Sequence, residues 1–301
     1  MERETYKYVL ALKVAEPKWA VRFIAGTELL EDNNCRYVAT ESIRKAIKIH
    51  SEFGATAWFG AINGYIEETI KTGNNEQGDM YEGVFARVKK NSFLMYHFME
   101  MLGDDFESFE DENDNSYCFL RRKSSRYVCA FCMYGVAETD LKKLGEPYLK
   151  DNQWYGNYES KISKEMFKKF LQTHENVAGC YFSVGHFYDA LMDGIKQPMA
   201  RGVVQYDIDL TKEFCIVPDE KYSELFHKRK DLAYQNELRC LLINKDQHKP
   251  GIPVTYKMLT DGNASFVEKN SAGNKLIFKC LLKPVKERTE EKLKNKNVNL
   301  S

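Results

Sequence analysis

Hydrophobic and polar positions change their rhythm along this chain. From residue 202 onward they alternate with a period near two, in short runs such as VVQYDID, KEFCIV, YQNELRCLLIN, PVTYKML, ASFVE and KLIFKCLLK. Alternation in runs of this length, separated by turn residues, predicts strands of a largely antiparallel sheet. Earlier the period is helical. Thr40–Phe53 carries Ile43, Ala46, Ile47 and Ile49 on one face behind a Thr/Glu start, which predicts an amphipathic helix. Further helices are expected over Ala61–Thr72, over Ser160–Gln172 with Ile162, Met166, Phe167 and Phe170 inward, and over the charged stretch 218–231. Strands are expected over Tyr81–Val88 and Tyr127–Met133.

No composition break marks a linker and no segment repeats. The pattern therefore predicts one α+β domain over residues 1–285, built on a mostly antiparallel sheet with a helical N-terminal elaboration, and a polar tail over 286–301. Hydrophobic residues make up 43% of the 301, enough for a packed core, so a disordered chain is excluded as the main reading. The only early apolar run, Tyr8–Leu12, is too short for a signal-peptide core, and nowhere do about 18 uncharged apolar residues follow one another. A cytoplasmic protein with no membrane partner is expected.

Charge narrows the picture less than usual. Lys+Arg and Asp+Glu number 44 each, so no overall sign points to a polyanionic partner. The distribution is uneven, however. Seven acidic residues lie between Asp104 and Asp114, and Arg121, Arg122, Lys123 and Arg126 follow closely. The plainest expectation is a hairpin tip whose acids are balanced by the basic stretch after it. Eight cysteines are scattered through apolar contexts, which predicts buried reduced thiols. Cys129 and Cys132 have metal-knuckle spacing, but no second Cys/His pair follows at a zinc-finger distance.

The stretch Asp231–Leu242 carries the most chemistry. Read as a strand, it turns Gln235, Glu237 and Arg239 to one side and Leu238, Cys240 and Leu242 to the other. An amphipathic edge strand would need nothing more than this. Gln235-x-Glu237 before an apolar strand also resembles the signature that ADP-ribosyltransferases carry on a late strand of their split sheet. The chain resembles, in addition, a bacterial domain family with ordered landmarks. Here these are Tyr6-Lys7-Tyr8, Gly78-Asp79-Met80-Tyr81-Glu82-Gly83, Cys129-Ala130-Phe131-Cys132, Trp154-Tyr155-Gly156-Asn157-Tyr158, and Tyr234 to Arg239. The sequence departs from the pattern at Met80, where proline is usual, and at Ala130 and Cys132, where a serine would anchor the nicotinamide ribose.

The resemblance implies a split, mostly antiparallel sheet and an NAD-consuming transferase. Cleavage of the nicotinamide–ribose bond builds oxocarbenium-like charge, which a fixed carboxylate stabilises. Glu237 would be that carboxylate and Gln235 would orient the acceptor. Contacts to NAD, the substrate, would come from Tyr8, Trp154, Tyr155 and Arg239, with either Lys7 or Arg22 on the phosphates. The acceptor would be a protein, RNA or DNA. The resemblance also implies a toxin or anti-phage effector, restrained by an antitoxin or chaperone. Two other readings stay open: a metal-dependent nuclease using Asp231, Glu237 and the acidic segment, and a non-catalytic interaction module, which the residues at 130 and 132 favour. No GxGxxG, GxxxxGK[ST] or GxSxG occurs, so a Rossmann dinucleotide site, a P-loop and a nucleophile elbow are not indicated.

Overall fold

A computed structural model describes residues 8–15, 55–73, 78–160, 178–216, 221–244, 246–247, 249–256, 264–266, 268–269 and 276–282. Lys7, Arg22, the helix expected over Thr40–Phe53, nearly all of the one expected over 160–172, and the tail lie outside them. In chain order the first strands are β1 (Tyr8–Ala15), β2 (Ala55–Ala61), β3 (Val84–Lys89), β4 (Phe106–Glu110), β5 (Tyr117–Arg122) and β6 (Val128–Ala137). There follow β7 (Leu141–Lys150), β8 (Gln153–Ser160), β9 (Ala178–Ser183), β10 (Met199–Val203), β11 (Gln205–Ile208) and β12 (Phe214–Cys215). The last are β13 (His227–Arg229), β14 (Glu237–Ile243), β15 (Gly251–Tyr256), β16 (Ala264–Phe266), β17 (Glu268–Lys269) and β18 (Leu276–Leu282). The α-helices among the described residues are α1 (Ile62–Thr72), α2 (Phe93–Leu102) and α3 (Val184–Gly194).

The protein is α+β and mostly antiparallel, as the alternation predicts. The largest sheet runs β10-β14-β6-β1-β9-β16, and among the described pairs only β11 with β13 is parallel. Strand β6 is its spine. β14 pairs along one edge of β6 from Val128 to Tyr134. On the other edge β1 meets residues 134–137, while β2 meets only Ala130 and Cys129. The sheet therefore forks between β1 and β2 at Phe131–Met133. A buried carbonyl without a strand partner is costly, and the Lys13 ammonium fills the fork, donating to the Cys132 carbonyl at 2.6 Å and lying 4.7 Å from the Phe131 ring centre.

Alternation assigns the two faces. Leu238, Cys240 and Leu242 pack with Cys129, Phe131, Phe182 and the α3 residues Phe187 and Leu191 in the principal core. On the other face Ala130 and Leu241 are covered by Ile62 and Ile66 of α1 and by Leu225 and Phe226. Farther along this face Leu10, Leu12 and Val136 pack against Leu276 and Phe278, which belong to a second sheet ordered β17-β18-β8-β7. Cys129 and Cys132, three apart on β6, fall on opposite faces of the sheet and cannot hold one ion together.

Two expectations require correction. The stretch 218–231 is not an α-helix: in its described part Ser223–Phe226 is a 3-10 turn, His227–Arg229 is β13, and a second 3-10 turn begins at Lys230. Its basic residues leave helical register because they pair with carboxylates from elsewhere in the chain. The strand through Glu237 also starts later than expected, since Gln235 ends the 3-10 turn and Asn236 adopts left-handed backbone at φ 41. The acidic segment forms a 3-10 turn at Gly103–Asp105, β4 and the tip of the β4–β5 hairpin, and several of its charges are matched within the protein. Glu107 accepts from Arg121 and Arg126, and Asp111 accepts from Arg87 at 2.7 Å.

Core packing should dominate stability. Phe182 is fully buried with its ring centre 4.4 Å from that of Phe187, so Phe182→Ala is expected to cost about 3–5 kcal/mol. Ile70→Ala, at a 66% exposed site of α1, should change stability by less than about 0.5 kcal/mol. Urea unfolding midpoints check both.

Candidate functional site

Four charged side chains from three separated segments meet on the covered face of the main sheet. The tight turn 79–83 supplies Glu82, β13 supplies Lys228, and β14 supplies Glu237 and Arg239. Gly83 follows Glu82 at φ +73, and a Cβ there would press to 3.1 Å from Leu225; glycine thus lets the turn lie against the 223–226 segment. At the other end Asn236 is held by both neighbours. Its Oδ1 accepts from the Tyr8 hydroxyl and its Nδ2 donates to the Gly135 carbonyl at 2.7 Å. Residue 135 must itself be small, because a Cβ would stand 2.7 Å from the Tyr8 ring.

The four charges bond one another completely. The Lys228 ammonium donates to Glu237 Oε2 at 2.8 Å and to Gln235 Oε1 at 3.0 Å, and lies 3.0 Å from Glu82 Oε1. Three acceptors thus surround its three protons. Arg239 donates through Nε to Glu237 Oε1 at 2.6 Å, through both terminal nitrogens to Glu82 at 2.9 and 3.1 Å, and to the Leu225 carbonyl. The fork-to-fork geometry suits guanidinium and carboxylate. The Glu237 amide donates to the Tyr206 hydroxyl at 3.0 Å. All four side chains are buried, Glu237 at 5% and Arg239 at 1% exposure.

Burial by itself would neutralise such groups, and here mutual attraction outweighs it. Desolvation pushes Glu237 up, but Arg239 and Lys228 hold it well below the ordinary glutamate value of 4.5. Glu82 is lowered against the same opposition by Arg239 and Lys228. Burial also works against the charge on Lys228, yet Glu237 and Glu82 raise it above the ordinary lysine value. The Cys132 thiol, opposite Arg239 in the β6 register, is pushed up to about 12 by burial and then by Glu237. At neutral pH this centre therefore holds an ionised carboxylate and a protonated thiol. Glu237 suits electrostatic stabilisation of positive charge and does not suit proton donation.

Comparison with protein-family models, with curated proteins and with solved structures found no match. The centre is consequently read from its own geometry. Of the residues singled out in the sequence, Gln235, Glu237, Arg239 and Cys132 come together, while Tyr8 packs in the principal core on the opposite face of the sheet and bonds Asn236. Trp154 and Tyr155 lie on β8 in the second sheet. Trp154 is exposed, while Tyr155 packs beside Tyr148 and Lys279. Lys7 and Arg22 are outside the described residues; among those described, the basic groups that bond Glu237 are Arg239 and Lys228. Lys228 carries no local sequence signal, because it lies in a stretch that reads as a solvated charged helix. Glu82 was visible only as part of the Glu-Gly landmark.

In the basic clusters at Arg121–Arg126 and His227–Lys230, several side chains are engaged within the protein. Arg121 bonds Glu107 and two carbonyls, and Arg229 bonds Asp79 at 3.1 Å. Beside the centre, Glu224 is fully buried. Its Oε1 accepts from the Ser125 hydroxyl at 2.6 Å, while its Oε2 has no partner among the described residues.

Acid titration should report on the cluster. Glu237 and Glu82 are depressed in the folded chain and ordinary in the unfolded one, so their contribution to stability is complete above about pH 4.5 and is lost as the pH falls below that through their folded values. Glu237→Gln is expected to cost about 3–5 kcal/mol at neutral pH and to flatten that acid decline, as followed by urea unfolding across pH. Glu224 has the opposite sign: burial raises its carboxyl, so the wild type loses stability as the pH climbs from the ordinary carboxylate range through the raised value. Glu224→Gln should gain on the wild type over that window and hold a constant advantage above it.

Proposed function

We propose that this protein is an NAD-consuming ADP-ribosyltransferase that modifies a macromolecular acceptor, with Glu237 as its central carboxylate. The observation that carries the reading is the gathering of Glu82, Cys132, Gln235 and Arg239 around one fixed glutamate that is ionised at neutral pH, Glu237. These residues are far apart in the chain, yet each belongs to a landmark of the resembled family. An ionised carboxylate held from both sides lowers the cost of positive charge developing on a ribose without reorganising first. Gln235 supports an acceptor-orienting role because Lys228 has only donors to offer. The amide oxygen is therefore turned inward and the amide nitrogen is left to meet the acceptor. A cytoplasmic effector acting on protein, RNA or DNA, and restrained by an antitoxin or chaperone, follows from the same resemblance.

One observation favours a second reading, a non-catalytic interaction module. Both Glu237 oxygens already bond cations, so substrate would have to displace or share those partners. The nuclease reading lacks comparable support: among the described residues no group of three His, Cys, Asp or Glu side chains could hold a metal ion, and Asp231 bonds Arg229.

Incubation of the purified chain with labelled NAD, cell protein and cell RNA separates the two. Transfer of label by the wild type, reduced about 10²–10³-fold in Glu237→Ala, is the expected outcome for the transferase. Intact NAD with no labelled fraction in the wild type would leave the interaction module standing.

A further inference from the structure

Helix α1 carries one polar group that its own packing does not use. Ile62, Tyr65, Ile66 and Thr69 share a face of the helix at spacings of three and four, and the first three pack with Ala130, Cys132 and Leu241 of the main sheet. The Tyr65 ring lies so close to the backbone of β2 that a Cβ at Gly60 would stand 2.7 Å from its hydroxyl oxygen and 3.0 Å from Cζ. Gly60 pairs with Ala130 on the last rung before β2 leaves β6, so the hydroxyl stands at the mouth of the fork. Cys132, two residues further along β6 on the same face, is one pleat repeat away, about 7 Å, and lies opposite Arg239.

The other groups about Glu237 are committed. Lys228 has three acceptors for its three protons, Arg239 bonds Glu237, Glu82 and the Leu225 carbonyl, and the Cys132 thiol bonds Glu237 itself. The Tyr65 hydroxyl bonds no described residue. It is also a steady donor, because burial, then Cys132 and Glu237, raise the phenol above its ordinary value and it keeps its proton at neutral pH. In the proposed reaction the group brought nearest Glu237 is the ribose on which positive charge develops. Its vicinal hydroxyls donate and accept, as the phenol does. A phosphate would find no free cation there, since Lys228 and Arg239 are occupied by Glu82 and Glu237. We infer that the Tyr65 hydroxyl hydrogen-bonds a hydroxyl of the nicotinamide ribose and holds the sugar beside Glu237. The inference rests on the transferase reading and adds to it a binding residue with no sequence signal, because Tyr65 reads as one more apolar position of an amphipathic helix.

Steady-state nicotinamide release, with the acceptor fraction at saturation, tests this. Tyr65→Phe keeps the ring and its packing on Gly60, so its urea midpoint should match the wild type. A hydrogen bond made equally in ground state and transition state shows in KM, and a neutral one is worth about 3–10-fold. KM for NAD should rise by that factor with kcat little altered. NAD lacking the 2′- or the 3′-hydroxyl of the nicotinamide ribose is the second probe. One of the two analogues should weaken the wild type by a similar factor and Tyr65→Phe no further, since both changes remove the same bond. An unchanged KM in Tyr65→Phe, or an effect of that substitution that adds to those of both analogues, would overturn the inference while leaving Glu237 in its role. A wild type that leaves NAD intact would overturn the transferase reading and this inference with it.

Discussion

Two carboxylates, one ammonium and one guanidinium share a volume closed to water beneath β14, and the surrounding architecture is arranged about them. Each of the four would be expensive to bury alone. Together they are neutral, and each finds the partners its geometry demands. Arg239 ties β14 to the 79–83 turn through Glu82 and to the 223–226 segment through the Leu225 carbonyl. Lys228 ties β13 to both carboxylates. Segments that a hydrophobic core would tolerate in several positions are thereby held in one, because a shift of any of them strands a charge.

The fork in the main sheet shows the same logic on a smaller scale. Once β1 and β2 diverge from β6, the Cys132 carbonyl needs a donor, and Lys13 crosses from β1 to supply it. The residue whose carbonyl anchors that lysine on one face turns its thiol toward the charge cluster on the other. Backbone satisfaction and cluster geometry are thus joined through a single residue of β6. Acids and bases outside the cluster obey the same rule: Glu107, Asp111 and Asp79 each find an arginine from another strand or turn. A chain with equal numbers of positive and negative charges has arranged much of that charge in local pairs.

Rigidity at the centre and openness at the rim divide the molecule's work. Glu237 cannot change its charge near neutrality and cannot move without breaking two ion pairs, which suits a preformed electrostatic site. Helix α2 lies on a separate sheet, ordered β12-β3-β5-β4, and presents apolar side chains to solvent.

Period-two patterning alone determined the antiparallel sheet, and it assigned Leu238, Cys240 and Leu242 to the core and Glu237 and Arg239 to the opposite face, because alternation is a local property of extended backbone. Helix α1 was legible from its helical period and the acidic hairpin from the basic stretch that follows it, both likewise local signals. Gln235 was misplaced on the strand because the 3-10 turn and the left-handed Asn236 have no periodic signature. Only the tertiary structure decided what that polar face would be. Arg239 meets Glu82 across 157 positions, and Lys228 reaches Glu237 only once its segment leaves helical register. Ion pairing depends on distance in space and on exclusion of water, and neither is written in the spacing of residues along the chain.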